Sequence, residues 1–86
     1  MSQVGVHPRI NQRHPEVSEA DVMAAMRSMI RYKQRDSGEW LAVGTDAHSR
    51  LVELVYDYDE EGDFFFVYHG MTPPSAKTLR ELGLER

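Results

Sequence analysis

The chain has 86 residues and a formal net charge of −4, with 41% hydrophobic and 28% charged residues, which is typical of one small globular domain spanning residues 1–86. It has no cysteine, which excludes disulfides, thiolate metal sites and a cysteine nucleophile and fits a reducing compartment. No apolar run approaches the length of a membrane span, and the first residues lack the apolar core of a secretory signal. We therefore expect a cytoplasmic protein that does not enter a membrane.

The first dozen residues fit either a short helix or an extended arm, and Pro8 limits where a helix there could begin. The segment that follows carries clearer signals. Ser18 and Asp21 have the spacing of a capping box, in which each side chain hydrogen-bonds to the backbone N–H of the other residue. Apolar residues then recur at helical spacing. This pattern predicts a helix over residues 19–29.

Four strand-forming segments follow this helix, with short polar turns between them. Successive side chains of a strand point to opposite faces, so Glu53 and Asp57 lie opposite the apolar side of the third strand. The fourth segment is so apolar that we expect it to lie mid-sheet, covered on both faces, with Phe66 buried. The pattern predicts an antiparallel meander with strands over residues 30–35, 39–44, 50–58 and 63–69.

A final helix is predicted after the sheet. Thr72 suits an N-cap and Pro73 suits the first helical position. The helix should stop at Gly83, because glycine readily adopts the conformation that ends many helices. The predicted fold class is therefore α+β, with an N-terminal helix, a four-stranded antiparallel meander and a C-terminal helix.

Charge is distributed unevenly along the chain. Residues 1–50 contain seven Lys or Arg and six Asp or Glu, whereas residues 51–86 contain three and eight. Arg31, Lys33 and Arg35 alternate along the first predicted strand, which places their side chains on one face. Such a basic stripe suits a phosphate backbone or an acidic protein segment. It is equally consistent with the solvated side of an ordinary strand.

Two histidines are the main candidates for chemistry. His14 lies just before the capped helix, and His69 ends the last predicted strand. Histidine titrates near neutral pH, so two imidazoles can transfer protons when an RNA 2′-hydroxyl attacks the adjacent phosphate, while arginine neutralises the charge that develops. A purely structural role for each histidine is the alternative.

Other motifs give little support for a metal or nucleotide site. Residues 57–62 resemble the opening of a calcium loop, but Tyr68 occupies the position that requires a bidentate Glu. The histidines lack the spacing of a zinc motif, and neither a glycine-rich phosphate loop nor a Gly-x-Ser-x-Gly elbow occurs. We therefore predict no metal and no cofactor.

Three segments in order carry a family resemblance: residues 13–20 (RHPEVSEA), residues 40–44 (WLAVG) and residues 50–56 (RLVELVY). Together they resemble the BrnT family of RelE-like toxins, and the similarity spans most of residues 9–69. In that family a basic residue and a histidine precede a helix, and a strand ending in glycine leads through a polar turn to the next strand. The last strand here departs from the family pattern, because no Arg-rich segment follows it.

The resemblance implies a RelE/BrnT-like fold and the toxin half of a type II toxin–antitoxin pair. Such a toxin is an endoribonuclease that cleaves mRNA or ribosome-associated RNA and is silenced by a cognate antitoxin protein. By position, Arg13 and His14 match the basic pair of the family. The alternative is a non-catalytic interaction module that kept the toxin fold and binds an acidic protein segment through its basic face.

On the toxin interpretation, His14 and His69 are the candidates for proton transfer, with Arg13 beside them. Four further cations are the candidates for holding RNA phosphates. They are Arg31, Lys33, Arg35 and Arg50.

Overall fold

A computed structural model describes residues 2–85, in which a mixed five-stranded sheet carries helices on both faces. The strands lie in the order β1-β5-β4-β3-β2. β1 is parallel to β5, and every other neighbouring pair is antiparallel. The elements along the chain are β1 (Gln3–Val6), α1 (Arg9–Arg13), α2 (Glu19–Arg27), β2 (Met29–Gln34), β3 (Trp40–Thr45), β4 (Leu51–Asp59), β5 (Phe64–Met71) and α3 (Ala76–Glu81).

The predicted capping box is present at the start of α2. The backbone N–H of Ser18 donates to Asp21 Oδ2 at 2.9 Å, and the backbone N–H of Asp21 donates to Ser18 Oγ at 3.1 Å. The helix ends at Arg27, two residues before the predicted end, because Met29 already pairs with Gly44 in the sheet. The local signals therefore placed the start of this helix correctly and its end approximately.

The α+β class and the antiparallel meander are confirmed, since β2 to β5 pair in chain order. The prediction of four strands is wrong in one respect. The N-terminal segment supplies a fifth strand, β1, whose Val6 lies opposite Val67 of β5. The same segment also supplies the short helix α1, so both conformations considered for it occur in succession.

Two apolar clusters lie on opposite sides of the sheet. On one side, α1 and α2 pack on β3, β4 and β5, and the cluster includes Ile10, Val22, Ala42, Val52, Leu54 and Val67. On the other side, α3 contributes Leu82 to a smaller cluster with Leu41, Val43 and Val55. The alternation of side chains along β3 and β4 thus serves two separate layers.

The prediction that β5 is covered on both faces is wrong at Phe66, whose side chain is 37% exposed. β5 does lie mid-sheet between β1 and β4. However, the smaller cluster under α3 is built on β3 and β4, with Leu41, Val43 and Val55, and leaves Phe66 partly uncovered. An apolar strand therefore does not ensure that each of its side chains is buried.

The last helix also begins later than predicted. Ser75 is its N-cap, accepting from the backbone N–H of Thr78, while Thr72 instead donates its hydroxyl to the carbonyl of Leu51. Its end is as predicted, with Gly83 at φ 70°. No helix among residues 2–85 has both the length and the apolar character needed to cross a membrane.

The close approach of α2 to β3 depends on Gly44. A Cβ at this position would lie 2.9 Å from the carbonyl carbon of Ala25 and closer still to its oxygen. Because both atoms belong to the helix backbone, no side-chain movement could relieve the overlap. The helix can rest on the sheet only where the strand lacks a side chain.

We expect Gly44→Ala to lower the free energy of unfolding by about 1–3 kcal/mol, since α2 must shift away from β3. Urea unfolding followed by circular dichroism measures this change. Gly62→Ala is the matched control, because a Cβ there meets the carboxylate of Asp59, in an exposed turn, at 3.0 Å. Its stability should change by less than about 0.5 kcal/mol. Equal stability of the two variants would contradict the proposed role of Gly44.

Candidate active site

A buried carboxylate, Glu53 on β4, is the centre of the candidate site. Its neighbours Val52 and Leu54 point towards α1 and α2, so the alternation of the strand directs Glu53 towards α3. Only 6% of its surface is exposed. It accepts hydrogen bonds from the backbone N–H and the hydroxyl of Ser75, at 3.0 and 3.1 Å. The second carboxylate oxygen lies 2.7 Å from Nε2 of His69.

These contacts keep Glu53 ionised. Burial opposes the charge, but hydrogen bonds from His69, Thr78 and Ser75 outweigh it and lower the pKa of Glu53 to about 2. Because a carboxylate can only accept hydrogen bonds, Nε2 of His69 must carry the proton that they share. The remaining ring nitrogen of His69, Nδ1, is then the atom able to take up a proton. Glu53 therefore sets the tautomer of His69.

A β-bulge brings His69 to this carboxylate. Val55 pairs with His69 but Tyr56 pairs with Val67, so Tyr68 is an extra residue in β5. Without the bulge, strand alternation would turn His69 towards α1 and α2, where the next residue, Gly70, lies against Ile10. The bulge thus re-aims one side chain onto the face that carries Glu53. β5 runs on to Met71, two residues beyond its predicted end.

His14 lies beside His69. The two ring centroids are 6.2 Å apart and the rings are nearly perpendicular, at 86°. His14 caps the end of α1, donating its backbone N–H to the carbonyl of Ile10 at 2.8 Å. β1 pairs with β5 only as far as Val67, and α1 contacts β5, so the end of α1 lies next to the end of this strand. The two predicted histidines are therefore brought together although 55 positions separate them.

Arg13 and an aromatic row surround the histidine pair. Arg13 is exposed in the last turn of α1, and no group within residues 2–85 forms an ion pair with it. The ring of Phe66 lies 6.0 Å from that of His7 and 6.3 Å from that of Tyr68. This row continues along β5 to His69. It was not predicted, because Phe66 was expected to be buried.

The basic stripe has a structural partner, α3. Arg31 donates to the carbonyls of Leu82 and Gly83 at 3.1 and 3.3 Å, at the end of the helix. Arg35 forms a bidentate ion pair with Glu81, with hydrogen bonds of 2.9 and 3.1 Å, and these bonds raise the pKa of Arg35. Lys33 is exposed. Arg31 and Arg35 therefore hold the end of α3, whereas the side chain of Lys33 forms no hydrogen bond or ion pair within residues 2–85.

Arg50 is also engaged within the protein. Its guanidinium donates to Asp46 at 2.8 Å, to Asp21 at 3.1 Å and to the carbonyl of Glu16 at 2.9 Å. These contacts tie the turn between β3 and β4 to the start of α2. No hydrogen bond or ion pair within the described chain joins Arg31, Arg35 or Arg50 to the histidine pair.

Residues 2–85 contain no group of three or more His, Asp or Glu side chains placed to hold a metal ion.

Sequence reasoning missed Glu53 as a site residue. The available signal was a charged residue within the apolar segment of residues 51–56, because a buried carboxylate requires hydrogen-bond partners. Its position opposite the apolar face was predicted, but its partners lie on β5 and before α3, which local patterns do not specify.

Replacing Glu53 should change how stability depends on pH. Folding lowers its pKa from 4.5 to about 2, so the carboxylate stabilises the fold above about pH 4.5, and this is lost as the pH falls towards 2. We expect Glu53→Gln to lower the free energy of unfolding by about 2–3 kcal/mol at pH 7 and by progressively less below pH 4.5. Urea unfolding at several pH values tests this, with the exposed Glu16→Gln as control. Parallel profiles for wild type and Glu53→Gln would contradict the assignment.

Comparison with known proteins found no matching family model, no matching curated protein and no matching solved structure.

Proposed function

We propose that this protein is a metal-independent endoribonuclease that acts as the toxin of a type II toxin–antitoxin pair. The observation that carries the proposal is the pair of adjacent imidazoles, one of which is held by a buried carboxylate. The sequence resemblance of most of residues 9–69 to BrnT toxins is the second support. mRNA or ribosome-associated RNA is the proposed substrate, and a cognate antitoxin is the proposed inhibitor.

The arrangement suits cleavage by the 2′-hydroxyl of RNA. Glu53 fixes the proton on Nε2 of His69, so Nδ1 can accept the proton of the attacking hydroxyl, as in other carboxylate–histidine pairs. His14, when protonated, donates to the departing 5′-oxygen. The products are a 2′,3′-cyclic phosphate and a 5′-hydroxyl, and no water is consumed. Arg13 neutralises the extra negative charge on the phosphate in the transition state.

The aromatic row offers a surface for the bases. Single-stranded RNA is commonly held by stacking of its bases on aromatic side chains. Phe66 is exposed on β5, and Tyr68 lies between it and His69 along the strand. A base stacked on Phe66 would place the neighbouring phosphate towards the histidines. Of the four predicted phosphate ligands, only Lys33 has no partner in the described chain, so we retain it alone.

A second candidate function is a non-catalytic interaction module. The internal contacts of Arg31, Arg35 and Arg50 leave fewer cations to bind RNA, and they equally leave fewer to bind the acidic segment that such a module was predicted to recognise. The two candidates differ in one measurement, namely whether inducible expression arrests growth and the purified protein cleaves RNA.

Removing either imidazole should abolish cleavage. We expect His14→Ala and His69→Ala each to lower the cleavage rate by about 100-fold or more and to relieve growth arrest, because each removes one proton-transfer group. Gel analysis of purified mRNA, with and without EDTA, measures cleavage and its metal dependence. His48→Ala is the control, since His48 is 70% exposed on the turn between β3 and β4.

Full toxicity of both His14→Ala and His69→Ala would reject the catalytic pair. An inactive wild-type protein that does not arrest growth would instead favour the interaction module. The melting temperature of each variant distinguishes loss of activity from loss of folding, which matters most for His69→Ala because His69 donates to buried Glu53.

Replacing Phe66 should weaken RNA binding while leaving the fold intact. We expect Phe66→Ala to reduce affinity for a 2′-O-methyl RNA oligonucleotide about tenfold, since such RNA binds without being cleaved and base stacking on one ring is lost. Fluorescence anisotropy measures this affinity. Tyr32→Ala is the matched control, because Tyr32 is 61% exposed but lies on β2. Equal affinity of the two variants would remove Phe66 from the site.

A further inference from the structure

An open groove with apolar walls lies away from the histidine pair. It has a volume of about 480 Å³ and lies on the face of the sheet that carries α2. Its walls include five aromatic side chains from four strands, namely Tyr32, Trp40, Tyr56, Tyr58 and Phe65. It shares no residue with Glu53, His14 or His69. Apolar patches of this kind mark binding surfaces.

The groove exists because α2 covers only part of this face. α2 has nine residues, about 14 Å, and ends at Arg27 on the edge of the groove. Beyond it, the aromatic rings are packed mainly against one another, with Trp40 and Tyr56 parallel to within 5°. Tyr32 and Tyr58 remain 61% and 39% exposed. The apolar face of a sheet is normally buried against another element, and this part of the face has no such cover among the described residues.

The rim of the groove is negatively charged. Asp63 accepts hydrogen bonds from the hydroxyls of Tyr58 and Ser2, both at 3.0 Å, and both of these residues line the groove. The hydrogen bond to Asp63, with the charges of Glu60 and Asp59, raises the pKa of Tyr58. Against these carboxylates, Arg27 is the single cation among the described residues that line the groove. The potential there disfavours a phosphate backbone and favours a cationic ligand.

We infer that this groove binds a basic amphipathic helix of a partner protein. The apolar face of the helix would pack against the aromatic wall beside the end of α2, in the manner of helix-in-groove recognition. Its Lys or Arg residues would lie against the turn that carries Asp59, Glu60 and Asp63. The inference does not depend on RNA cleavage, because the groove and the histidine pair are separate sites.

The test uses the single tryptophan, Trp40, as a reporter inside the groove. Two Trp-free peptides of about 15 residues are compared, with Leu on one helical face and either Lys or Glu on the other. A third has the composition of the Lys peptide in scrambled order. We expect the Lys peptide to change Trp40 fluorescence and to bind at least about tenfold more tightly than either control.

Variants then locate the binding surface. Glu60→Lys should weaken binding of the Lys peptide about fivefold and reduce its salt dependence. Glu85→Lys is the matched control, because Glu85 pairs with Arg80 on α3 and should leave affinity unchanged. Tyr32→Ala should weaken binding about tenfold with an unchanged melting temperature, since its side chain is largely exposed.

Equal binding of the Lys and Glu peptides, or equal affinity of Glu60→Lys and Glu85→Lys, would overturn the inference. So would a dimer, seen by light scattering, that dissociates in Tyr32→Ala, because a second copy of the chain would then be the occupant.

Discussion

The burial of Glu53 is the constraint on which the candidate site depends. An ionised carboxylate with 6% exposure is tolerated only where donors replace the water it has lost. The donors come from two different parts of the chain, His69 on β5 and Ser75 before α3. Satisfying one buried charge therefore fixes both the imidazole and the start of a helix. Ser75 serves both, because its hydroxyl also caps α3.

The α3 helix is held at both ends by charged groups of the sheet. At its start, Ser75 donates a hydrogen bond to Glu53. At its end, Arg31 donates to the carbonyls of Leu82 and Gly83, which directly follow the helix, and Arg35 pairs with Glu81. Cations near a helix C-terminus complement the partial negative charge of its free carbonyls. With only six residues, α3 would be marginal as an isolated helix. Arg31 and Arg35 of the basic stripe thus serve to dock this helix.

Sequence reasoning succeeded where the signal was local. The Ser18–Asp21 box, the polar turns and the alternation along β4 all act over a few residues, and each appears as predicted. β1 was missed because its partner, β5, lies some sixty positions away. Parallel strands are not joined by a tight turn, so the sequence near β1 contains no turn signal that would indicate the pairing. The exposure of Phe66 was missed for a similar reason, since it depends on how much of the sheet α3 covers.

The candidate site was predicted in part for the same physical reason. His14 and His69 could be proposed because each stands at the end of an element, and elements that meet bring their ends together. Glu53, the bulge at Tyr68 and the internal partners of Arg50 could not be proposed, because each is a relation between distant segments. A residue type in a sequence predicts what chemistry is possible, whereas its partners in the fold decide whether it is free to perform it.

The distribution of free charge has a consequence for how RNA could be bound. Arg31, Arg35 and Arg50 are held by internal acceptors, so few of the predicted cations remain to bind RNA, namely Arg13 next to His14 and Lys33 on β2. Affinity that depends on few phosphate contacts falls only slowly with salt. For single strands, the logarithm of the binding constant falls by about 0.7 per phosphate contact for each tenfold rise in salt concentration. Recognition would then depend more on stacking against Phe66 than on the phosphate backbone. The acidic turn that joins β4 and β5 lies beside the aromatic groove, and its negative charge disfavours a phosphate backbone there.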